Sequence, residues 1–182
     1  MEKKDLVITI SGPHGVGKSA LAKVLSQNFG LKYISSGEMF RREAKKLNLN
    51  LSELSELTKK DPKIDKSIDE NMVNFTLNRG VIADGLLTGW LLKNKANIKI
   101  FLTAPLEVRV SRISKRDNVS ITYSKNETVN REHSEKLRFI NYYDIDLDCL
   151  DVYDVILNTS LIQLDSMIQI LNFMIKSYME EN

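Results

Sequence analysis

The residue types and spacing of Gly12-Pro13-His14-Gly15-Val16-Gly17-Lys18-Ser19 dictate a particular chemistry. The stretch fits the pattern of a glycine, four free positions and Gly-Lys-Ser/Thr, in which backbone N–H groups curl round a phosphate. A helix opening at Lys18 adds the positive end of its dipole. Lys18 would reach the β- and γ-phosphates of a nucleotide, the Ser19 hydroxyl would ligate Mg²⁺, and Ala20 completes the phosphate-facing run. A Mg²⁺–nucleotide site also needs a carboxylate at the end of a neighbouring strand. Asp84, closing Val81-Ile82-Ala83 ahead of Gly85, is that candidate; its alternative role is an N-cap for the segment after it. His14 occupies a free position of the loop, which suits a solvent-facing or indirect role, and His133 has no metal-ligand neighbours at useful spacing. Cys149, the single cysteine, excludes an intrachain disulfide and a Cys-x-x-Cys pair and reads as a buried, inert thiol.

The elements that must position these groups alternate. Leu6 to Ile10 is a β-rich run ending at the glycine loop, and Leu21, Val24, Leu25 and Phe29 follow at helical spacing up to a capping Gly30. Lys32-Tyr33-Ile34-Ser35 reads as a second strand, followed by a helix from about Glu38 to Leu47. A short amphipathic helix starts at Leu51 and breaks at Asp61-Pro62; a longer one carries Ile64, Ile68, Met72 and Phe75 and ends by Gly80. Val81 to Asp84, Ile98 to Leu102 and Tyr153 to Asn158 supply three more strands. Ala104-Pro105 leads into a helix with Val108 and Ile113, and a closing helix from about Gln163 to Tyr178 is expected to cover the sheet. The alternation predicts an α/β fold: five parallel strands between two helical layers, in one domain over residues 1–182.

Charge sharpens the class. The 182 residues carry 26 Lys+Arg and 24 Asp+Glu, for a formal net charge of +2, and are 42% hydrophobic. That composition excludes a disordered chain and an extended basic surface for nucleic acid. The charge is segregated, however: residues 109–138 hold eight basic and four acidic side chains, whereas 144–182 hold one basic and eight acidic. Seven of the eight arginines fall at Arg41 and Arg42 and at Arg109, Arg112, Arg116, Arg131 and Arg138. Guanidinium forks grip phosphate bidentately; solvated helix faces are the plainer explanation. No apolar run approaches the roughly 18–20 residues of a membrane span, and no leader is evident, so a cytoplasmic protein is expected, as is a monomer.

Phosphate-binding loops serve switches, motors and small-molecule kinases. No Asn-Lys-x-Asp guanine motif follows a strand; Asn94-Lys95-Ala96-Asn97 lacks the acid. A small kinase needs a second anion site and a mobile basic lid, and the two arginine clusters sit where those belong. Along almost its whole length the chain resembles the cytidylate kinases, particularly the short archaeal type, which have the three-layer P-loop NTPase sandwich. The resemblance lies in Ile8 to Gly12 with the glycine loop, Tyr33 to Arg41 (Tyr-Ile-Ser-Ser-Gly-Glu-Met-Phe-Arg), Ile64 to Asp69, Leu86 to Trp90, Phe101 to Arg109 (Phe-Leu-Thr-Ala-Pro-Leu-Glu-Val-Arg) and Tyr153 to Ser160.

The resemblance implies transfer of a phosphoryl group from ATP, with Mg²⁺, to CMP and also dCMP. It implies an acceptor-binding segment over about 36–79 and a lid over about 112–138. By the same resemblance Ser36 contacts the acceptor nucleotide and Arg41 holds its phosphate. Arg109, Arg112, Arg116 and Arg131 would act on the transferring phosphoryl group, Glu135 and Arg138 on the acceptor nucleoside and its phosphate, and Asn158 on the donor adenine. Family members commonly carry arginine where this chain has Leu86, which leaves Arg41, Arg42 and the lid to supply positive charge. Two alternatives stay open on the residues: a kinase for another monophosphate such as UMP or AMP, and an NTPase or nucleotide-binding paralogue that has lost transfer.

Overall fold

The computed structural model describes residues 2–182. After a 3₁₀ turn at Lys3–Asp5, β1 (Val7–Ser11) enters the glycine loop and α1 (Lys18–Phe29) leaves it. There follow β2 (Lys32–Ser35), α2 (Ser36–Lys46), α3 (Leu51–Lys60), α4 (Lys63–Thr76) and β3 (Val81–Asp84), then α5 (Thr88–Leu91), β4 (Ile98–Thr103), α6 (Leu106–Asp117), α7 (Ile121–Tyr143), β5 (Val155–Asn158) and α8 (Leu164–Glu181). The five strands are all parallel, in the order β2-β3-β1-β4-β5. Every residue of β1 and β3 is buried, Thr9, Ser11 and Asp84 included, so neither strand shows the alternation of a half-exposed one.

Two cores flank the sheet. On one face Ile8, Ile10, Ile82 and Ile100 pack with Leu21 and Leu25 of α1 and Met167, Leu171 and Ile175 of α8. On the other, Ile34, Val81 and Ala83 pack with Phe40 and Ala44 of α2, Leu54 of α3 and Ile68 and Met72 of α4. Ile82 and its neighbours Val81 and Ala83 thus serve opposite layers, as the period-two pleat requires. The closing helix covers the sheet as expected. With β1 between β3 and β4, the chain leaves β1 toward one edge and later returns to the other. A ligand crevice opens outside the carboxyl ends of strands at such a reversal.

Two elements differ from the sequence expectation. Helix α2 starts at Ser36, two residues early, because the Ser35 hydroxyl accepts the Glu38 N–H (3.3 Å) and β2 passes into the helix with no loop. Helix α7 runs for 23 residues beneath the basic segment, packed on α6 and α3. Its buried face is Ser124, Thr128, Arg131, Ser134, Glu135, Arg138 and Phe139, so the helical period is carried by polar residues and a hydrophobic pattern misses it. Cys149, expected buried, is half-buried in the segment after α7, outside both cores. No helix among the described residues is long and apolar enough to cross a membrane.

Candidate active site

The glycine loop owes its shape to close backbone approaches. Gly12 and Gly15 have φ of 139° and 76°. A Cβ on Gly12 would run into the Leu102 carbonyl of β4, and one on Gly15 would meet the Arg109 carbonyl at 2.6 Å. Lys18 folds back, its ammonium donating to the carbonyls of Gly12 (2.6 Å) and Pro13 (2.9 Å). Burial holds its pKa down at about 8 although the carboxylates of Asp84 and Glu135 favour the charged form. Val16 is fully buried, and its carbonyl accepts from the Thr159 hydroxyl (3.0 Å), which ties the loop to the end of β5.

Beyond the loop lies a cavity of about 290 Å³. One wall is the loop and the start of α1, including Gly17, Lys18, Ser19 and Ala20; opposite stand Ser36, Phe40 and Arg41 of α2 and Asp65, Ile68 and Asp69 of α4. Asp84 to Leu87 form the floor, and Arg112, Arg116, Arg131, Glu135 and Arg138 come from α6 and α7. Asp84 is buried at the end of β3 and accepts the Tyr33 hydroxyl proton (3.0 Å); the N-cap of α5 is Leu87, so capping is not its role. Burial and Asp84 push the Tyr33 pKa up to about 12, and Ser19 lines the same cavity as Asp84. A hydroxyl and a carboxylate therefore meet beside the phosphate loop. This hard-oxygen pair fits Mg²⁺, which takes one or two protein oxygens and keeps several waters.

The arginines divide into distinct groups. Arg41 lines the cavity and has no hydrogen-bond or ion-pair partner among the described residues; burial and then the neighbouring charges of Arg116 and Arg131 lower its pKa. Arg131 is buried, with Nε on Glu135 Oε1 (3.0 Å) and the guanidinium 5.0 Å from the centre of the Phe40 ring. Arg116 pairs with Asp117 at the surface, and Arg112 donates to the hydroxyl and the carbonyl of Thr159 (both 2.8 Å). Arg138 is held by Asp65 at Nε (2.7 Å) and by Ser55 and Ser134 at Nη1. Arg109 is different. It does not line the cavity: Nε donates to Ala104 O (3.1 Å), Nη1 to His14 O (3.0 Å), and Nη1 and Nη2 together clamp Glu132 (2.5 and 3.2 Å).

Other expected site residues also find partners within the protein. Both carboxylate oxygens of Glu135 are engaged, one by Arg131 and the other by His14 Nε2 at 2.6 Å. Burial opposes ionisation of Glu135, yet His14 and Arg131 outweigh it and hold the carboxyl at about 2. His14 is not solvent-facing; its ring is turned into the cavity wall, and burial followed by the charge of Arg131 lowers its pKa. Asn158 does not line the cavity, and its Oδ1 accepts from the backbone and hydroxyl of Ser160 (2.9 and 2.7 Å). Arg42 likewise stays outside it, and His133 is exposed. Sequence reasoning gave no site role to Glu132, whose carboxylate also accepts the His14 N–H (3.1 Å), or to Asp65, Asp69 and Tyr33; Thr159, which the family resemblance sets with Asn158 and Ser160 at the donor adenine, instead holds Arg112 and the Val16 carbonyl. The signals available were the helical spacing of Asp65 and Asp69 on α4 and the place of Tyr33, Asp65 and Asp69 in stretches that resemble the family.

Comparison with known proteins agrees with this geometry. A family model described as the cytidylate kinase-like family matches residues 7–161. A cytidylate kinase of Staphylothermus marinus is 40% identical, over 97% of this chain and 99% of its own length. One from Sulfurisphaera tokodaii is 42% identical, over 93% and 97%. Among solved structures, an uncharacterised protein of Eubacterium ventriosum superposes with a TM-score of 0.70 at 17% identity, covering 96% of this chain and 99% of that one. A shikimate kinase of Acinetobacter baumannii does so with 0.63 at 17% identity, covering 96% and 95%, so both share the fold of this chain. With the matched model spanning the glycine loop, the α2 and α4 wall of the cavity and the arginine-bearing helices α6 and α7, the chain belongs to the cytidylate kinase-like family.

Proposed function

We propose that this protein transfers the γ-phosphoryl group of ATP to CMP, and to dCMP, giving CDP or dCDP and ADP. One observation carries the reading: a single cavity joins the phosphate loop to Arg41, an unpaired guanidinium between Arg116 and Arg131. Relatives covering nearly the whole chain bear the name cytidylate kinase.

Little base catalysis is needed. A phosphate monoester has a second pKa of about 6 and is largely dianionic at neutral pH. The difficulty is bringing two polyanions into line. Backbone N–H groups of residues 15–20 cradle the donor phosphates, and Lys18 exchanges its loop carbonyls for phosphate oxygens. Arg41 takes the acceptor phosphate, in the segment 36–79, beside Ser36. Arg116 and Arg131 neutralise the equatorial oxygens in transit, and Arg112, seated on Thr159, flanks the donor. The segment 112–138 acts as the lid. Ser19 and Asp84 would hold Mg²⁺, which supplies charge neutralisation at the β- and γ-phosphates. Arg109 and Glu135 position rather than touch: Arg109 fastens α6 to the loop and to Glu132, and Glu135 aims Arg131. Positioning and preorganised charge together account for catalysis of this type.

The test measures ADP and nucleoside diphosphate from ATP–Mg²⁺ with CMP, dCMP, UMP, AMP and no acceptor. CMP-dependent ADP matched by equal CDP is expected. ADP release at the same rate without acceptor would refute transfer.

A further inference from the structure

His14 stands at a position that the glycine-loop motif leaves free, yet its backbone and its ring are both fastened to the arginine-bearing helices. Its N–H donates to Glu132 Oε1 (3.1 Å), its carbonyl accepts from Arg109 Nη1 (3.0 Å), and its Nε2 meets Glu135 Oε2 at 2.6 Å. Glu135 is buried and ionised, its carboxyl held at about 2, and an ionised carboxylate only accepts hydrogen bonds. The ring nitrogen facing it therefore carries the proton, so the tautomer is set by the neighbour. The phosphoryl-transfer scheme gives this bond no part.

Its consequence lies in Arg131. A guanidinium closes a two-bond fork on a carboxylate when both oxygens are open to it. Two pairs in this protein do so: Arg116 lies side-on to Asp117, with Nε on Oδ1 and Nη2 on Oδ2 (both 2.7 Å), and Arg109 meets Glu132 through Nη1 and Nη2. Arg131 and Glu135, four residues apart on α7 and both buried, make only half of the side-on arrangement. Nε donates to Oε1 (3.0 Å), and neither Nη atom has a hydrogen-bond partner among the described residues. The oxygen that Nη2 would take in a side-on fork is the one His14 holds. Phe40, its ring centre 5.0 Å from the guanidinium, attracts the charge without using an N–H.

We propose that His14 is a positioning residue that keeps Arg131 open for the transferring phosphoryl group, by occupying the Glu135 oxygen that would otherwise close a fork on the guanidinium. The proposal rests on the transfer reading above and adds the residue that decides how much of Arg131 a phosphoryl oxygen can use. Glu135 fixes the guanidinium through Nε alone, and both Nη atoms of this cavity-lining arginine stay able to donate. His14 belongs to the glycine loop, so the loop that takes the donor also sets the arginine that serves it.

His14→Phe keeps a ring but removes the donor, and His14→Gln returns an amide N–H at a similar reach. With Oε2 released, Nη2 of Arg131 should move onto it. In His14→Phe kcat should fall about 10- to 100-fold, the scale of one charge-assisted hydrogen bond, with KM for CMP within about threefold. His14→Gln should restore kcat to within about threefold of wild type. Glu135→Gln added to His14→Phe removes the charge that captures Arg131, so the double variant should turn over faster than His14→Phe alone; a packing defect would instead be deepened by the second change. A crystal structure of nucleotide-free His14→Phe reads the geometry without activity and should show Arg131 Nη2 on Glu135 Oε2. On the wild type, whose folding is not in question, ¹⁵N NMR should find the ring proton of His14 on Nε2, the signal being assigned by its absence from His14→Gln. An open fork in His14→Phe, a double variant slower than His14→Phe, or a wild-type His14 ring protonated on Nδ1 alone would overturn the role of His14 while leaving CMP phosphorylation intact. A wild type that forms no CDP from CMP would overturn the transfer reading and this one with it.

Discussion

Replacing Arg109 by methionine keeps the stem and the buried volume but removes the guanidinium. Three backbone or carboxylate partners then lose their donor: Ala104 O, His14 O and Glu132. The side chains of the pair are 9% and 25% exposed, so water reaches Glu132 but not Arg109. Breaking a buried pair by removing one partner costs about 3–5 kcal/mol, and partial hydration of Glu132 places this case near the lower figure. For a chain of this size each kcal/mol moves Tm by roughly 2–4 °C, so Arg109→Met should lower Tm by about 6–12 °C. Glu132→Gln should cost less, about 1–2 kcal/mol, because the neutral amide still accepts one hydrogen bond. Since the two residues share one interaction, the double variant should be more stable than the sum of the singles implies, by about 1–2 kcal/mol. The assay is urea unfolding of the four proteins, with kcat measured well below the lowest Tm. There Arg109→Met should retain kcat to within about tenfold. An arginine on the transferring phosphoryl group contributes about 10³–10⁵ in kcat. A loss of that size with Tm unchanged, together with strictly additive singles, would refute the positioning role and restore Arg109 to the reacting atoms.

Lys18→Ala should abolish CDP formation while the fold, followed by circular dichroism, persists. In the protein without nucleotide, the Lys18 pKa lies at about 8 against an ordinary 10.5, so between those values the unfolded chain binds the extra proton. Stability therefore rises with pH across that window, and the rise should be absent from Lys18→Met; over the same window ATP affinity of the wild type should fall as the ammonium deprotonates. Asp84→Asn removes a charged oxygen beside Ser19 and should raise the Mg²⁺ concentration for half-maximal rate by about 10- to 100-fold, read from a Mg²⁺ titration at fixed ATP. Leu86→Arg tests whether the acceptor end lacks a cation. With Arg41, Arg116 and Arg131 already at that cavity, KM for CMP should stay within about threefold; a drop beyond tenfold would show the set to be incomplete.

Much of this protein is local, and what is local was legible. The glycine loop is defined by eight adjacent residues, and Gly12 and Gly15 adopt the positive φ that the motif implies. The fully buried β1 and β3 announce themselves as short runs rich in β-branched residues, and Asp84 is placed by ending one of them. Arginine spacing marked α6 and the end of α7 as a basic region, but not what each guanidinium would meet. Arg41 and Arg109 are the same residue type, yet one lines the cavity with no hydrogen-bond or ion-pair partner among the described residues and the other is locked to Ala104, His14 and Glu132. The partners lie up to 95 residues away, and spacing along the chain carries no record of such pairings. The same holds for Asp69, an ordinary acid on an amphipathic helix until Tyr143, 74 residues on, fixes one of its oxygens at the edge of the cavity. Sequence by itself determined the strands and the glycine loop between β1 and α1, because backbone geometry and burial act over a few residues. Only the tertiary structure decided which charges remain free, because a charge in a folded protein is defined by the neighbours that distant segments bring to it.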